Sequence, residues 1–459
     1  MKLGFVVLLV ASLAAQIGLR GHSATLHAVK LSGRTLLLVA TCVCLVASLV
    51  ARAQLDRFVF DVQGIGHARE ALAYVVLRDN ALSGARASDL AFLLSLLQTL
   101  LVGAVVYLVR DGRRTGPRFA IVAATMVAML VVAGYDHTLK SPDVYAYVGF
   151  AKLGMAAFHP PHELFTGEYE RINRFWGNPL VPCPYGPLWI AIARAAMWPA
   201  HSLAESILAL RIVNVVAIAS IVTMLARATK NFTLVAAFAL NPAIIEEFVV
   251  DGHNDIVGVA FLFAALFAVR SPIAKIVLVA AAICVKLPFL LVGAVVFVNY
   301  ASRRRRIGYF AAASAIGIAG SVGFAGPDFV RAVVLSTKMH AVPEPWVSVT
   351  HLLCVAVVLG AILRVFFVGR IAVGAAPAFV GLGVLPFPWY LIWALPVAAA
   401  AGTLAPMLVA LPFITGLFSL FSYDPTPLRA ISAVVAMGLV IVGAILVARA
   451  RARAVQSVV

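Results

Sequence analysis

Apolar runs of about 20 residues recur along almost the whole chain, and they leave its backbone few ways to fold. Inside a bilayer no water reaches the N–H and C=O groups, so a spanning segment must satisfy them internally, as a helix does within a single run. Runs of this kind lie at 2–19, 35–51, 87–109, 119–135, 203–226, 232–249, 255–269, 307–325, 348–367, 371–385, 389–403, 404–421 and 428–448. They predict an all-α polytopic membrane protein with about 13 transmembrane helices. The composition agrees: 63% of the 459 residues are hydrophobic and 12% charged, whereas a soluble domain carries roughly 25% charged residues. The opening MKLGFVVLLVASLAAQIG has the charge and apolar core of a signal peptide, but with so many later spans an uncleaved first helix is expected.

The formal charge of +17 does not point to nucleic acid, because the basic residues fall in short clusters beside apolar runs. RDGRRTGPR at 110–118, Arg227 with Lys230, Arg303 to Arg306, Arg364 with Arg370, and RARAR from Arg449 are assigned to the cytoplasm by the positive-inside rule. To satisfy all of them, PLWIAIARAAMWPA at 187–200 must lie at the interface or dip in without crossing, and 275–300 must form a broken hairpin. The step Lys286-Leu-Pro supplies the break. The segments 136–186, 251–255, 327–347 and 386–390 then face outward. Three parts are expected: 1–118 as N-terminal transmembrane helices, 119–400 as a transmembrane core carrying the outward loop 136–186, and 401–459 as C-terminal helices with a basic tail. Four of the five cysteines lie in apolar segments and only Cys183 in a polar loop, so neither a disulfide framework nor a zinc-type spacing is present. No internal repeat marks a transporter built from two related halves.

Two polar constellations interrupt the apolar pattern. The loop 136–186 holds two Asp, three Glu, three His, two Lys, two Arg and six Pro between membrane-length runs, too much chemistry for a connector. Within it, Ser141-Pro142 is a helix-start signal, and SPDVYAYVGFAKLGMAAF reads as a helix lying on the membrane surface with Asp143 in its first turn. Asp143 is the candidate catalytic carboxylate. From spacing alone, capping the helix explains it equally well. Asp136, at nearly the same depth, is the alternative, and His137 reads as an interfacial residue. The second constellation, NPAIIEEFVVDGHNDIVG, packs Glu246, Glu247, Asp251, His253 and Asp255 into ten residues at a membrane boundary. A turn explains Gly252 and Asn254 but not two Glu inside the preceding apolar segment, and a divalent metal on oxygen ligands is the competing account.

Charges within apolar runs cost energy and often mark function. Arg194, Arg211 and Lys286 are of this kind. Snorkelling to a headgroup suits Arg194, while Lys286 or Arg211 would hold a phosphate, with Arg171, Arg174 and His340 as loop alternatives. Trp389, Tyr390 and Trp393 in PFPWYLIWALP form an interfacial belt or wall a lipid or sugar groove.

The segments SPDVYAYVGFAKL, NPAIIEEFVVDGHNDIVG, VKLPFLLVGAVV and PFPWYLIWALPVAA occur here in the same order as similar segments in bacterial polyprenyl-phosphate-mannose-dependent mannosyltransferases. The chain thus resembles the alpha-1,6-mannopyranosyltransferase group of the GT-C superfamily over roughly residues 119–400. The resemblance implies a membrane enzyme that moves a sugar from a polyprenyl-phosphate donor to a glycan or glycolipid acceptor on the outer face of the cytoplasmic membrane. Asp143 matches the family's D-x-Y-x-Y pattern and would be the base. His253, Asn254 and Asp255 match its GHND segment, and Tyr145, Tyr147, Trp389 and Tyr390 would join them around the substrates. One departure is GMAAFHPPHE from Gly154, where His159 stands in place of an expected Asn. Besides an enzyme, a lipid-linked glycan flippase or a non-catalytic envelope-assembly subunit also fits the spans. A flippase would place its polar groups near the midplane instead of in a long loop.

Overall fold

In the computed structural model of the chain, the described residues are 32–59, 84–110, 116–135, 141–162, 165–177, 180–338, 360, 363–369 and 388–422. Every regular element among them is helical: α1 (Gly33–Val59), α2 (Gly84–Val109), α3 (Pro117–Tyr135), α4 (Asp143–Leu153), α5 (Glu170–Trp176), α6 (Pro187–Met197), α7 (Leu203–Thr229), α8 (Phe232–Ala239), α9 (Pro242–Ile245), α10 (Asp255–Phe263), α11 (Pro272–Val285), α12 (Phe289–Gly293), α13 (Arg303–Ala325), α14 (Pro327–Lys338), α15 (Ala394–Ala400) and α16 (Leu404–Ser422). Five stretches among the described residues are long and apolar enough to cross a membrane: Gly33–Leu55, Asp89–Val109, Pro117–Gly134, Leu203–Thr229 and Arg303–Ala325. They correspond to five of the runs read from the sequence. Leucines such as Leu36, Leu37, Leu93 and Leu100 stay exposed on α1 and α2, a surface stable against lipid tails and costly against water. The protein is an all-α polytopic membrane protein.

Local signals explain where the helices begin. Ser202 caps α7 by accepting from the Glu205 amide, and the Glu205 carboxylate reaches back to the His201 amide at 2.9 Å, a reciprocal pair that satisfies two orphan donors. Ser271 caps α11 by accepting from the Ala274 amide, and proline occupies the first turn of α6, α9 and α11, where a missing N–H costs nothing. α16 packs along α2, α1 along α2 and α3, α10 beside α7 and α11, and α11 along α13.

Several apolar runs are not continuous helices. The run 232–249 divides into α8 and a second helix bent by 47°. Pro242 cannot donate, and the Asn241 side chain ties the break to the α16 backbone by donating to the Leu408 carbonyl at 2.7 Å. Past α9 the backbone widens into a π-helical turn, Glu246–Val250. The break at Lys286-Leu-Pro is where the sequence puts it: α11 ends at Val285, and α12 and a 3-10 turn, Ala294–Phe297, follow. The run 389–403 starts as a 3-10 turn, Pro388–Trp393, before α15, and α6 is too short to cross. The runs 2–19, 371–385 and 428–448, and nearly all of 348–367, lie outside the described residues.

The main departure from expectation is α4. It does not lie with one face on a surface, since every residue from Asp143 to Ala151 is buried. Its apolar and aromatic residues run all round the helix, so both sides need cover. α6 and α7 supply one side. The other is closed by Phe175, whose ring stacks on Tyr145 with centroids 4.8 Å apart, and by Ile172 and Leu180 against Gly149. The loop also reaches the far end of α13: Phe158 meets Phe329 edge to face, and His159 Nε2 stands 2.7 Å from the Asp328 carboxylate just after α13 ends. Arg303 to Arg306 open that same helix, so some 35 Å of helix separates the arginine cluster from the loop.

Gly186 fixes how the loop re-enters the bundle. Its amide donates to the Val285 carbonyl at 2.9 Å, and a Cβ there would stand 2.0 Å from the Cys284 carbonyl oxygen. Gly186→Ala should therefore cost about 1–3 kcal/mol and lower the melting midpoint in detergent. Gly308→Ala, with nothing near its added methyl, should not lower it.

Candidate active site

α4 presents Asp143 to the turn that follows the π-helical segment. Trp176 Nε1 donates to the Pro142 carbonyl at 2.9 Å, and the Ser141 hydroxyl accepts from the Asp143 amide at 3.3 Å. The N-cap position itself is Pro142, which has no capping side chain, and Asp143 is the acidic residue of the first turn, where it complements the helix dipole. Its Oδ2 stands 3.5 Å from the Tyr147 hydroxyl and 3.4 Å from His253 Nδ1. Tyr185 donates to the Tyr147 hydroxyl at 3.4 Å, so two phenols in series point at one carboxylate oxygen. Burial, then the Tyr185 neighbour and the Asp143 and Asp255 carboxylates, hold Tyr147 well above the usual phenol range. Burial does the same first for Tyr185. Both therefore keep their protons and remain donors.

His253 is fully buried between carboxylates. Its Nδ1 edge faces Asp143, and its Nε2 stands 4.0 Å from Glu247 Oε2. Burial pulls the imidazole pKa down, but Asp143, Glu247 and Asp251 outweigh it and the net shift is upward. The π-helical turn makes this meeting: the Asp251 amide donates to the Glu246 carbonyl, the His253 amide to the Glu247 carbonyl, and Gly252 takes a φ of +77°. Such widened turns recur at functional sites. Asn214 on α7 braces the turn, its Nδ2 donating to the Phe248 and His253 carbonyls at 2.7 and 3.0 Å, and Arg211 one turn earlier donates to the Val250 carbonyl. Glu247, Asp251 and His253 offer ligand atoms within 4.8 Å of one another, so this is the place among the described residues where a metal ion could be held.

A second centre forms around Asp255 at the start of α10. Lys286 Nζ donates to its Oδ1 at 2.9 Å and Trp393 Nε1 to the same oxygen at 2.7 Å. The ammonium lies 4.7 Å from the Tyr390 ring centre, 5.2 Å from Tyr185 and 5.3 Å from Trp393, an aromatic surround that suits a cation. Gly258, one turn into α10, lets Phe289 lie against the helix, because a Cβ there would meet that ring at 2.1 Å.

Of the residues picked from the sequence, Asp143, Tyr145, Tyr147, His253, Asn254, Asp255, Lys286, Tyr390 and Arg211 converge on this region. Arg171 is exposed but reaches the Tyr145 hydroxyl. Arg174 turns to Glu170 at 3.6 Å on the surface and is not brought to the site. Asp136, His340 and the Trp389 side chain lie outside the described residues. Sequence reasoning missed Tyr185 and Asn214. Asn214 was findable, being polar in a spanning helix and three residues from Arg211, hence on the same face. Tyr185 carries no comparable signal.

Residues 38–302, more than half of the chain, match the family described as alpha-(1->6)-mannopyranosyltransferase, N-terminal domain. The chain belongs to this family. It is thus a membrane-embedded glycosyltransferase of the mannosyl-transferring kind, and the Asp143–His253 and Asp255–Lys286 contacts both lie within the matched stretch. Comparison with curated proteins and with solved structures returned no match.

The mannosyltransferase buries Asp255 completely, so its ion pair with Lys286 should be sensitive to losing one partner. Lys286→Met should destabilise the fold by about 3–5 kcal/mol, because a buried carboxylate is left uncompensated. Lys286→Met combined with Asp255→Leu should recover part of that loss in the same detergent melts.

Proposed function

We propose that this mannosyltransferase takes mannose from a polyprenyl-phosphate donor and passes it to a hydroxyl of a glycan or glycolipid at the outer face of the cytoplasmic membrane, with Asp143 as the general base. The observation that carries this reading is how Asp143 divides its oxygens. Oδ2 faces Tyr147 and His253, whereas Oδ1 has no hydrogen-bond or ion-pair partner among the described residues, and the side chain keeps 12% of its surface accessible. Asp255, by contrast, is sealed and tied to Lys286 and Trp393.

The chemistry follows from those positions. The acceptor oxygen attacks the anomeric carbon and its proton passes to Asp143 Oδ1. The bond from that carbon to the phosphate oxygen breaks, and its electron pair leaves with the polyprenyl phosphate. Because the phosphate is already a good leaving anion, no general acid is needed, and a single carboxylate acting from the opposite face inverts the configuration. Glycosidases, whose leaving groups are poorer, need two carboxylates. Lys286 spends one of its three N–H donors on Asp255 and keeps two for the leaving phosphate. Arg211 and Arg171, on the Tyr145 side, are the other cations in reach. Tyr145, Tyr147, Asn254, Asp255, Trp389 and Tyr390 are assigned to sugar and acceptor contacts.

The outward orientation is supported by α13, whose arginine-rich start and loop-contacting end lie on opposite sides of the bundle, together with the preference of arginine clusters for the cytoplasm. The test is transfer from radiolabelled polyprenyl-phosphate mannose by purified protein in proteoliposomes. Asp143→Asn should fold normally, bind donor nearly as well, and transfer roughly 100- to 10,000-fold more slowly. Transfer at the normal rate by Asp143→Asn, with Asp255→Asn dead, would move the base to Asp255. Labelled lipid crossing the bilayer without transfer would replace the enzyme reading by a flippase.

A further inference from the structure

Five buried carboxylates, Asp143, Glu246, Glu247, Asp251 and Asp255, gather around the turn between the π-helical segment and α10, with Arg211, Lys286 and the imidazole of His253 among them. Glu246 accepts from Gln98 Nε2 at 3.0 Å, and Asp255 is paired with Lys286. Glu247 Oε2 lies on the Nε2 edge of His253, away from Asp143, and Asp251, one turn on from Glu247, offers a ligand atom within 4.8 Å of both. The proposed chemistry gives neither Glu247 nor Asp251 a task.

We propose that Glu247, Asp251 and His253 bind one divalent cation, with Asp143 holding His253 from behind. Donor atoms ~2.1 Å from a common ion stand roughly 3 to 4.3 Å apart, depending on whether they are neighbours or opposite. The 4.0 Å between His253 Nε2 and Glu247 Oε2 falls inside that window, and the full set within 4.8 Å needs only a small contraction. A ligating imidazole nearly always donates its other ring nitrogen to a carboxylate, which fixes ring and tautomer. Asp143 stands 3.4 Å from Nδ1, the nitrogen that a metal on Nε2 would leave for that contact.

A separate observation comes from Asn254. It follows His253 directly and is fully buried, yet neither its amide oxygen nor its amide nitrogen has a partner. Buried polar groups of this kind call for an ion or its bound water. Two carboxylates with one imidazole form a mixed hard and borderline set, which suits manganese better than calcium, whose ligands are all oxygen. Under the donor assignment above, on which this clause alone rests, the ion would also offset the carboxylate field that an incoming phosphate anion meets.

The experiment uses the full-length protein in detergent, stripped with a chelator and titrated with Mn2+ alone, read by electron paramagnetic resonance and by the nitrogen modulation of the spin echo. One Mn2+ per chain, with nitrogen coupling, is the expected result. Glu247→Gln with Asp251→Asn should weaken binding by more than about 100-fold, His253→Gln should remove the nitrogen coupling, and Glu168→Gln on the exposed loop should change neither. Absence of tight Mn2+ binding, or of nitrogen coupling, in the unaltered protein overturns the proposal whether or not the variants fold. Binding that survives the Glu247→Gln, Asp251→Asn double variant overturns it too. Neither readout involves sugar transfer, so failure here leaves the base assignment standing, and failure of the base leaves the ion.

Discussion

Charge buried at a membrane boundary is the constraint on which the rest of this structure depends. Carboxylates taken out of water cost free energy unless they are paired or hydrogen-bonded, and this chain collects five of them around the stretch from one π-helical turn to the start of α10. The contact of His253 with Asp143 on one edge and Glu247 on the other is the centre of that arrangement. It joins a helix of the polar loop to a broken span more than 100 residues later in sequence. Asn214, Arg211 and Gln98 then tie the same turn to α7 and α2. Removing the polar groups would leave an ordinary apolar bundle. With them, the span bends at Asn241-Pro242 and widens at Glu246–Val250, which brings the polar turn to α4.

The same constraint explains why α4 is buried. A carboxylate on a surface helix would be screened by water and headgroups, with little to distinguish it from any other acidic residue. Covered by the α5 loop on one side and by α6 and α7 on the other, Asp143 keeps one oxygen in a fixed network of Tyr147, Tyr185 and His253. Its second oxygen has no hydrogen-bond or ion-pair partner among the described residues. That asymmetry would give the proposed base its direction, and it depends on aromatic packing such as Tyr145 on Phe175 as much as on the polar contacts.

Much of the fold was legible because the bilayer reduces spanning structure to a question of apolar run length. The spans α1, α2, α3, α7 and α13 were read to within a few residues, and the break at Lys286-Leu-Pro followed from proline's missing donor. The run 232–249 hid its bend, because Asn241-Pro242 reads like a helix start and the π-helical turn has no compositional signature. α4 was placed wrongly because aromatic residues in sequence do not reveal that a loop 20 residues further on will fold back to cover them. In the site, the residue types were visible and the pairings were not. Lys286 stood out as a cation in an apolar run, but nothing in the sequence says that its partner is Asp255 or that Trp393 shares the same oxygen. Tyr185 sits in a proline-rich stretch with no periodicity, and only the tertiary fold brings it to Tyr147.

The proposed mechanism requires the donor's sugar to sit between α4 and the turn at 251–255. Photocrosslinking tests it most directly, using a polyprenyl-phosphate mannose that carries a diazirine on the sugar, with the adducts mapped by mass spectrometry of the digested protein. Adducts on peptides containing 143–153 and 247–255 are the predicted result. Labelling confined to the groove lined by Arg303, Arg304, Ile307 and Gly308, at the opposite end of α13, would contradict it.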